Sequence, residues 1–257
     1  MYPGLPTEEK ISRVAAAGFT DVEFWGWRDK NIGAVQTACQ ESGVRVANFS
    51  GHRVGSLIAE TTHATLLADV SDAVSTARVL DCQALMLLTN GLNPDGSVAD
   101  RFDEISADLK FSNTVAALVQ LDRIVPADIT LLLEPLNTLV DHPGYYLDDI
   151  DTASKIVRDV GSSRLKILCD LYHFGVMGAD LGAIVTEHLA LIGHFHIADV
   201  PGRHEPGTGT VDWAGMLRLI RSLGYTGGVG FEFFPATDAD IALKAIRDLW
   251  EANARAP

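Results

Sequence analysis

The chain has 257 residues, of which 47% are hydrophobic and 21% charged, and its formal net charge of −14 gives a sequence pI of about 4.8. This composition excludes disorder as the main state and supplies enough apolar side chains for a large core. An acidic surface repels phosphate backbones and anionic lipid headgroups, so neither nucleic acid nor a membrane is an expected partner.

The cysteines and the N-terminal segment indicate the compartment. Cys39, Cys82 and Cys169 are widely spaced and odd in number, which argues against a disulfide framework or a zinc knuckle. The opening MYPGLPTEEK lacks the charged start and apolar stretch of a signal peptide. No apolar run reaches the roughly 18 residues that a membrane span needs. We therefore expect a cytoplasmic protein.

Short apolar runs alternate along the chain with stretches of helical periodicity. The predicted strands are 21–27, 45–51, 84–90, 129–137, 165–173, 192–200 and 228–234. The predicted helices are 8–17, 32–42, 64–79, 103–124, 147–160, 181–191, 213–223 and 239–252.

This alternation predicts an α/β fold, a (β/α)8 TIM barrel of the xylose-isomerase-like kind with a short or truncated first strand. The strands are apolar nearly throughout, which is typical of parallel sheets covered on both faces. No linker-like stretch interrupts the pattern, so one domain is expected over 1–257. Only residues 1–5 are available for a strand before the first helix, and we expect the chain to open partway through the first strand. An open doubly wound sheet is the alternative, but no GxGxxG follows the opening strand.

Polar residues at the ends of the predicted strands are the candidates for chemistry, because barrel active sites lie at the carboxyl ends of strands. The first half of the chain offers Glu23, Trp25, Trp27, Asn48, His52 and Asn90. In the second half, four potential ligands are 36, 26 and 36 residues apart, about one strand–helix unit each. They are Glu134, Asp170, His196 and Glu232. This spacing predicts that the four meet at one rim.

Three converging carboxylates would repel one another, and a divalent cation resolves that conflict. Oxygen ligands with one imidazole suit Mn²⁺, Mg²⁺ or Co²⁺, and Zn²⁺ is also compatible. The alternative for each carboxylate is a buried ion pair without chemistry, for which Lys166 and Arg203 are the main basic residues nearby. His194 is on the same strand face as His196, where it either lines the site or, as we favour, packs as a hydrogen-bonded core histidine.

Several segments near these residues resemble hydroxypyruvate isomerases of the xylose-isomerase-like barrel superfamily. The most specific is HIADVPGRHEPGTG at 196–209, and the others are VEFWGW, EPLN, DHPGYYL, DLYH and GYTGGVGFEFFP. The resemblance covers almost the whole chain. It implies one divalent metal held by the four residues named above, although some members have Gln where this chain has His196. It also implies a full first strand, which this chain largely lacks.

The resemblance further implies an isomerase that interconverts hydroxypyruvate and tartronate semialdehyde through an enediolate. The metal would stabilise the enediolate as a Lewis acid and template. Glu134 and Glu232 are the expected catalytic pair, one removing the proton and the other delivering it.

Four further residues are predicted to contact the substrate. Arg203 suits a substrate carboxylate, which a guanidinium binds through two parallel hydrogen bonds. His173 would reach a substrate oxygen, and Glu23 would line the pocket. For His204 a solvated loop position is an equal alternative, and His173 could instead cap or pack the loop.

Three other functions remain open at this point. A ketose 3-epimerase, or an isomerase of another short sugar acid, would use the same metal and glutamates. An endonuclease-IV-like nuclease would need several zinc ions and more histidines. A non-catalytic sugar-binding or regulatory barrel is expected to have lost a ligand. The expected partner is a small keto acid, hydroxy acid or sugar, and a homo-oligomer is left open.

Overall fold

A computed structural model describes residues 1–254; residues 255–257 of the predicted domain lie outside the described residues. Seven strands form one parallel sheet in sequence order: β1 (Asp21–Phe24), β2 (Arg45–Ser50), β3 (Ala84–Leu87), β4 (Thr130–Leu133), β5 (Leu165–Asp170), β6 (Ile192–Ile197) and β7 (Gly228–Phe231). The helices are α1 (Thr7–Ala16), α2 (Ile32–Ser42), α3 (His63–Leu80), α4 (Ala107–Ile124), α5 (Ile150–Val160), α6 (Leu171–Val176), α7 (Leu181–His188), α8 (Trp213–Ser222) and α9 (Ala239–Ala254). None of the helices in 1–254 is long and apolar enough to cross a membrane.

The register of the last three strands brings their carboxyl ends to one rim. Asp170 pairs with His196, and His196 pairs with Gly230 on the following strand. The ladder continues one step beyond β7, where the Glu232 N–H donates to the Ile197 carbonyl at 3.1 Å. Polar residues at these strand ends therefore lie side by side.

The two faces of each strand pack differently. Leu131 and Ile167 belong to the main core, which the sheet shares with the helices. Met86, Leu132 and Leu168 form a separate small cluster. Because side chains two positions apart on a strand share a face, this small cluster is an apolar layer beneath Glu134 and Asp170. The rim residues thus stand on a packed floor.

The predicted barrel is confirmed, but all seven strands end earlier than predicted, and two of these ends bear on the site. The prediction 129–137 is wrong beyond Leu133, and the prediction 165–173 is wrong beyond Asp170. Asp170 accepts the Tyr172 N–H at 2.8 Å and caps α6, which the sequence pattern did not predict. The predicted helix 181–191 ends at His188 and continues as one 3₁₀ turn.

The sheet has an open edge at β7 and β1. Residues 1–5 form turns, and no ladder in the described part of the chain joins β7 to β1. The described residues thus contain no strand before α1. We call the gap between β7 (Gly228–Phe231) and β1 (Asp21–Phe24) the seam. A cavity of about 1680 Å³ runs along it and reaches His196 and Glu232.

Candidate metal centre

The structure brings together the four residues that the sequence predicted as metal ligands. Glu134 follows β4, Asp170 ends β5, His196 lies in β6, and Glu232 follows β7. Each offers one ligand atom, and the four atoms all lie within 4.8 Å of one another. We call these residues the four-ligand cluster. Their spacing suits the coordination of one cation by oxygen and imidazole nitrogen.

Asp170 carries an unsatisfied atom that fits a cation. Its side chain is buried, and its Oδ2 has no hydrogen-bond partner within residues 1–254. A buried carboxylate oxygen without a partner is costly, and such exceptions in native proteins often mark a site for an ion or water. Burial raises the pKa of Asp170 to about 7, against the opposing charge of Arg203. A divalent ion would remove both the desolvation cost and the missing contact.

The two glutamates of the cluster have different environments. Burial raises the pKa of Glu134, and the charge of Glu232 adds to this effect, while the neighbouring His196 opposes it. Burial would also raise the pKa of Glu232, but the charges of Arg203 and His196 outweigh it and hold the pKa well below its usual range. Without a cation, negative charge is therefore favoured on Glu232 and disfavoured on Glu134.

His196 lies between carboxylates on both sides of its ring. Its Nδ1 is 3.1 Å from Glu232 Oε2 and 3.8 Å from Glu134 Oε1, and its Nε2 is 2.6 Å from Glu23 Oε2. Burial alone would lower the pKa of His196, but the charge of Glu23 and the hydrogen bonds to the carboxylates hold it well above its usual value. The imidazole is thus the link between the four-ligand cluster and β1.

Arg203 supplies part of the counter-charge. Its Nη2 is 3.0 Å from Glu232 Oε2 and 3.8 Å from Asp170 Oδ2. The predicted alternative of an ion pair is therefore partly present, yet one guanidinium faces three carboxylates. Arg203 Nε, also buried, has no hydrogen-bond partner in the described part of the chain. The guanidinium keeps a free donor beside the cluster.

The loop after β6 holds Arg203 in place. The carboxylate of Asp199 accepts N–H groups from Val200, Gly207 and Val211 at 2.8–3.3 Å. The Asp199 carbonyl accepts the Arg203 N–H at 3.1 Å, and Arg203 has a positive φ of 56°. A non-glycine residue with positive φ stores strain that persists only when its surroundings fix it. The ADVPGRHEPGTG segment is therefore a tightly bonded loop that aims one guanidinium.

His173 also lies at the site, on α6 rather than on a strand. Its Nδ1 accepts the Asn137 backbone N–H at 3.2 Å, so Nε2 carries the ring proton and faces Asp170 Oδ2 at 3.4 Å. Burial lowers the pKa of His173 well below its usual value, and the charge of Arg203 lowers it further. His173 is a neutral donor next to the four-ligand cluster.

The other two predicted substrate residues have partners of their own. Glu23 is held by two imidazoles, through Oε1 to His194 Nε2 at 2.8 Å and through Oε2 to His196. Burial would raise the pKa of Glu23, but the charges of these two histidines hold it well below its usual range. His204 donates from Nδ1 to the Phe234 carbonyl at 2.7 Å and forms no bond to the four-ligand cluster within 1–254. His194 is buried and hydrogen-bonded, as favoured from the sequence.

Comparison with known proteins identifies the family. A model of the xylose isomerase-like TIM barrel family matches residues 11–249. The chain belongs to this family. A putative hydroxypyruvate isomerase of Streptomyces coelicolor is 33% identical over 259 residues, covering 93% of this chain and 89% of that protein. The hydroxypyruvate isomerase of Escherichia coli is 35% identical over 175 residues, covering 68% of this chain and 64% of that protein.

A solved structure shows the same fold. The crystal structure of an AP endonuclease of family 2 from Brucella melitensis matches with a TM-score of 0.88 and 24% identity, covering 96% of this chain and 95% of that one. At this identity the likeness concerns the fold alone. The relatives from Streptomyces coelicolor and Escherichia coli are both named as isomerases. This member of the xylose isomerase-like family is an isomerase similar to hydroxypyruvate isomerases.

Sequence reasoning missed two contacts at the centre of this isomerase. The indole N–H of Trp25 donates to Glu232 Oε1, although Trp25 was left outside the predicted site. Its place two residues after Glu23 in the predicted strand 21–27 was the available signal, because side chains two positions apart on a strand share a face. Asn137 fixes the tautomer of His173, and only its position in the EPLN motif pointed to it.

Proposed function

We propose that this chain is a divalent-metal-dependent isomerase that interconverts hydroxypyruvate and tartronate semialdehyde. The observation that carries the proposal is the convergence of three carboxylates and one imidazole beside a buried guanidinium with a free donor. The two hydroxypyruvate isomerase relatives support the choice of substrate. Mn²⁺, Mg²⁺ and Co²⁺ are the favoured ions for this donor set, and Zn²⁺ is compatible.

The metal would be held by Glu134, Asp170, His196 and Glu232. When bound, a divalent ion supplies Lewis-acid stabilisation for negative charge on neighbouring substrate oxygens. The protein supplies the proton transfer. Glu134 and Glu232 approach His196 Nδ1 from the ends of β4 and β7, with β5 and β6 between these two strands in the sheet. One removes a proton from the carbon that bears the hydroxyl group to give an enediolate, and the other delivers a proton to the adjacent carbon, while the hydroxyl proton passes to the former carbonyl oxygen.

Arg203 and His173 orient the substrate in this proposal. The unpartnered Arg203 Nε–H needs an acceptor, and the carboxylate of a keto acid provides one in the geometry that a guanidinium prefers. His173 is fixed with its Nε2 proton towards the cluster and can donate to a substrate oxygen. Both donors are buried, so water competes weakly for them.

Substitution of the glutamates tests the proposed chemistry. Glu134→Gln and Glu232→Gln should each reduce the kcat for hydroxypyruvate by about 10² to 10⁴, because the amide cannot take or give the proton. Glu187→Gln, an exposed change on α7, is the matched control and should keep full activity. Circular dichroism checks that the variants are folded. Full activity in either active-site variant would refute the proposed pair.

The substrate class separates the proposal from its nearest rival. A ketose 3-epimerase would use the same cluster, so the panel contains hydroxypyruvate, other short keto acids and free ketoses. We expect turnover of the acids to exceed that of ketoses, because Arg203 offers a donor that only a carboxylate satisfies fully. Preference for free ketoses would favour the epimerase. Metal binding without turnover of any compound would favour a sugar-binding barrel.

A further inference from the structure

The seam is crossed by the side chains of Glu23 in β1 and of Trp25, the residue that follows β1. Backbone ladders join each strand to the next from β1 to β7, but the described residues contain none between β7 and β1. Glu23 and Trp25 reach over this gap, and each ends on a member of the four-ligand cluster. Glu23 contacts His196, and the Trp25 indole donates to Glu232. Two of the four proposed ligands therefore have a hydrogen-bond partner in β1 or directly after it.

Glu23 determines which nitrogen of His196 faces the cluster. Its carboxylate accepts Nε2–H from His194 at 2.8 Å and from His196 at 2.6 Å. With Nε2 engaged in this way, His196 Nδ1 is the atom directed at Glu134 and Glu232. A carboxylate on the far nitrogen commonly orients a metal-bound histidine and strengthens it as a ligand.

Glu23, His194 and His196 also form a second group whose ligand atoms lie within 4.8 Å of one another. A cation there, together with one at the four-ligand cluster, would require His196 to bind through both ring nitrogens and to lose both N–H protons. The hydrogen-bonded arrangement requires only the ordinary neutral imidazole. The geometry thus favours an orienting role for Glu23 over a second metal site.

Two glycines of β7 make room for this arrangement. A Cβ on Gly230 would lie 2.6 Å from Glu23 Oε1 and 2.9 Å from His196 Cδ2. A Cβ on Gly228 would lie 2.6 Å from the His194 ring. Real Cβ atoms do not approach other heavy atoms this closely. The strand facing β1 across the seam therefore has side chains removed where the carboxylate and the two imidazoles meet.

We propose that Glu23 is a positioning residue that orients His196 for the metal, and that Trp25 does the same for Glu232. This inference rests on the proposed metal centre and adds the residues that organise it. Glu23 and Trp25 then serve two purposes, since the contacts that bridge the seam also set the ligand geometry. Occupation of the metal centre should consequently tighten the seam.

Calorimetric titration with Mn²⁺ tests the role of Glu23. Glu23→Gln should weaken Mn²⁺ binding by about 10- to 100-fold, because an amide cannot accept from both imidazoles. Asp21→Asn is the control; it makes the same chemical change on the same strand, where Asp21 pairs with the exposed Arg45. It should leave the affinity unchanged. Hydrogen exchange of β1 and β7 should slow when Mn²⁺ binds wild type, and less so in Glu23→Gln.

The outcomes separate the inference from the proposed function. If wild type binds no Mn²⁺, the metal centre itself is refuted. If wild type binds and Glu23→Gln binds equally tightly, the positioning role is refuted while the metal centre stands. Two ions per wild-type chain and one per Glu23→Gln chain would instead make Glu23 a ligand and overturn the inference.

A second variant and a spectrum exclude a merely structural effect. A loss of folding stability alone would leave the absorption spectrum of bound Co²⁺ unchanged, whereas a turned imidazole changes it. If Glu23→Gln does not fold, Trp25→Phe carries the test, because Trp25 is half exposed and the ring is kept. It should weaken Mn²⁺ binding several-fold, and unchanged affinity in that variant would overturn the proposal.

Discussion

The sheet is held together differently in its two regions. From β3 to β6, backbone hydrogen bonds join the strands, and Leu131 and Ile167 pack outward against the helices. Across the seam, Glu23 and Trp25 make the connection with their side chains, and their partners are proposed metal ligands. Backbone pairing tolerates most side-chain changes. The seam does not, so its integrity and that of the metal centre depend on the same few residues.

A large effect on catalysis is expected at Arg203, on the loop after β6. Arg203→Gln should lower kcat/KM for hydroxypyruvate by roughly 100-fold, since a charge-assisted hydrogen bond to a carboxylate contributes about 1.5–3 kcal/mol. Arg203→Lys should recover little, because a lysine lacks the planar fork. Steady-state kinetics with Mn²⁺ present measure both. Arg78→Gln, at an exposed ion pair with Asp128, is the control, and equal kinetics in all three would contradict the substrate role.

Metal binding at the four-ligand cluster should depend on pH. Asp170, with a pKa of about 7, is protonated below that value, and the raised pKa of His196 means that a metal displaces its Nδ1 proton too. As the pH is lowered, the affinity for Mn²⁺ should therefore fall by about tenfold per pH unit for each proton that the metal displaces. Calorimetry between about pH 5.5 and 8 measures this trend. Affinity that does not change over this range would contradict it.

The same two groups contribute to the pH dependence of the stability of the metal-free protein. Their folded-state pKa values are raised, so their stabilisation is fully present below the unfolded pKa of each, about 3.9 for Asp and 6.5 for His. For Asp170 it is lost as pH rises through about 7. The melting temperature without metal should thus fall as the pH rises from about 3.9 to about 7. The increase in melting temperature on adding Mn²⁺ should become larger over the same pH range.

A glycine substitution breaks the seam without removing any ligand. Gly230→Ala places a methyl group against Glu23 and His196 and should weaken Mn²⁺ binding by about tenfold, the lower end for a disturbed ligand support. Gly26→Ala is the matched control near the end of β1, where the added Cβ has only an ordinary contact at 3.6 Å. Similar affinities for the two variants would mean that the close approach at Gly230 has no bearing on the metal centre.

The smallest effect concerns the backbone-paired region. Ile167→Val on β5 should lower the free energy of unfolding by about 1 kcal/mol through the lost methyl group. Ile167 faces away from the cluster, so the affinity for Mn²⁺ should not change. Denaturant unfolding and calorimetry test the two halves of this prediction. A matching loss of metal affinity would contradict the separation between the two regions.

Much of the fold could be predicted from the sequence, because apolar strands and periodic helices leave a strong pattern. The strand ends could not. The motif after Leu133 continues with polar and turn residues that a strand pattern does not exclude, and Asp170 both ends β5 and caps α6. Capping is decided by backbone geometry at a single residue, which periodicity does not record.

The candidate site, like the fold, could be predicted only in part. The four-ligand cluster followed from spacing, since parallel strands bring residues one repeat apart to one rim. Glu23 was placed at the site as a pocket residue, but its two imidazole partners are 171 and 173 residues away in sequence. Such contacts depend on how the sheet curves at the seam, and no local pattern in the sequence records that curvature.

The metal content of wild type and of Asp170→Asn tests directly whether the four-ligand cluster binds a divalent ion. Asp170 is buried with one unpartnered oxygen, and an amide removes the charge while keeping the shape. Elemental analysis and titration with Mn²⁺ should show one ion per wild-type chain and at least about 100-fold weaker binding in the folded variant, as expected when a charged ligand is lost. A wild-type chain that binds none of Mn²⁺, Mg²⁺, Co²⁺ or Zn²⁺, or a variant that binds Mn²⁺ as tightly as wild type, would contradict the proposed metal centre.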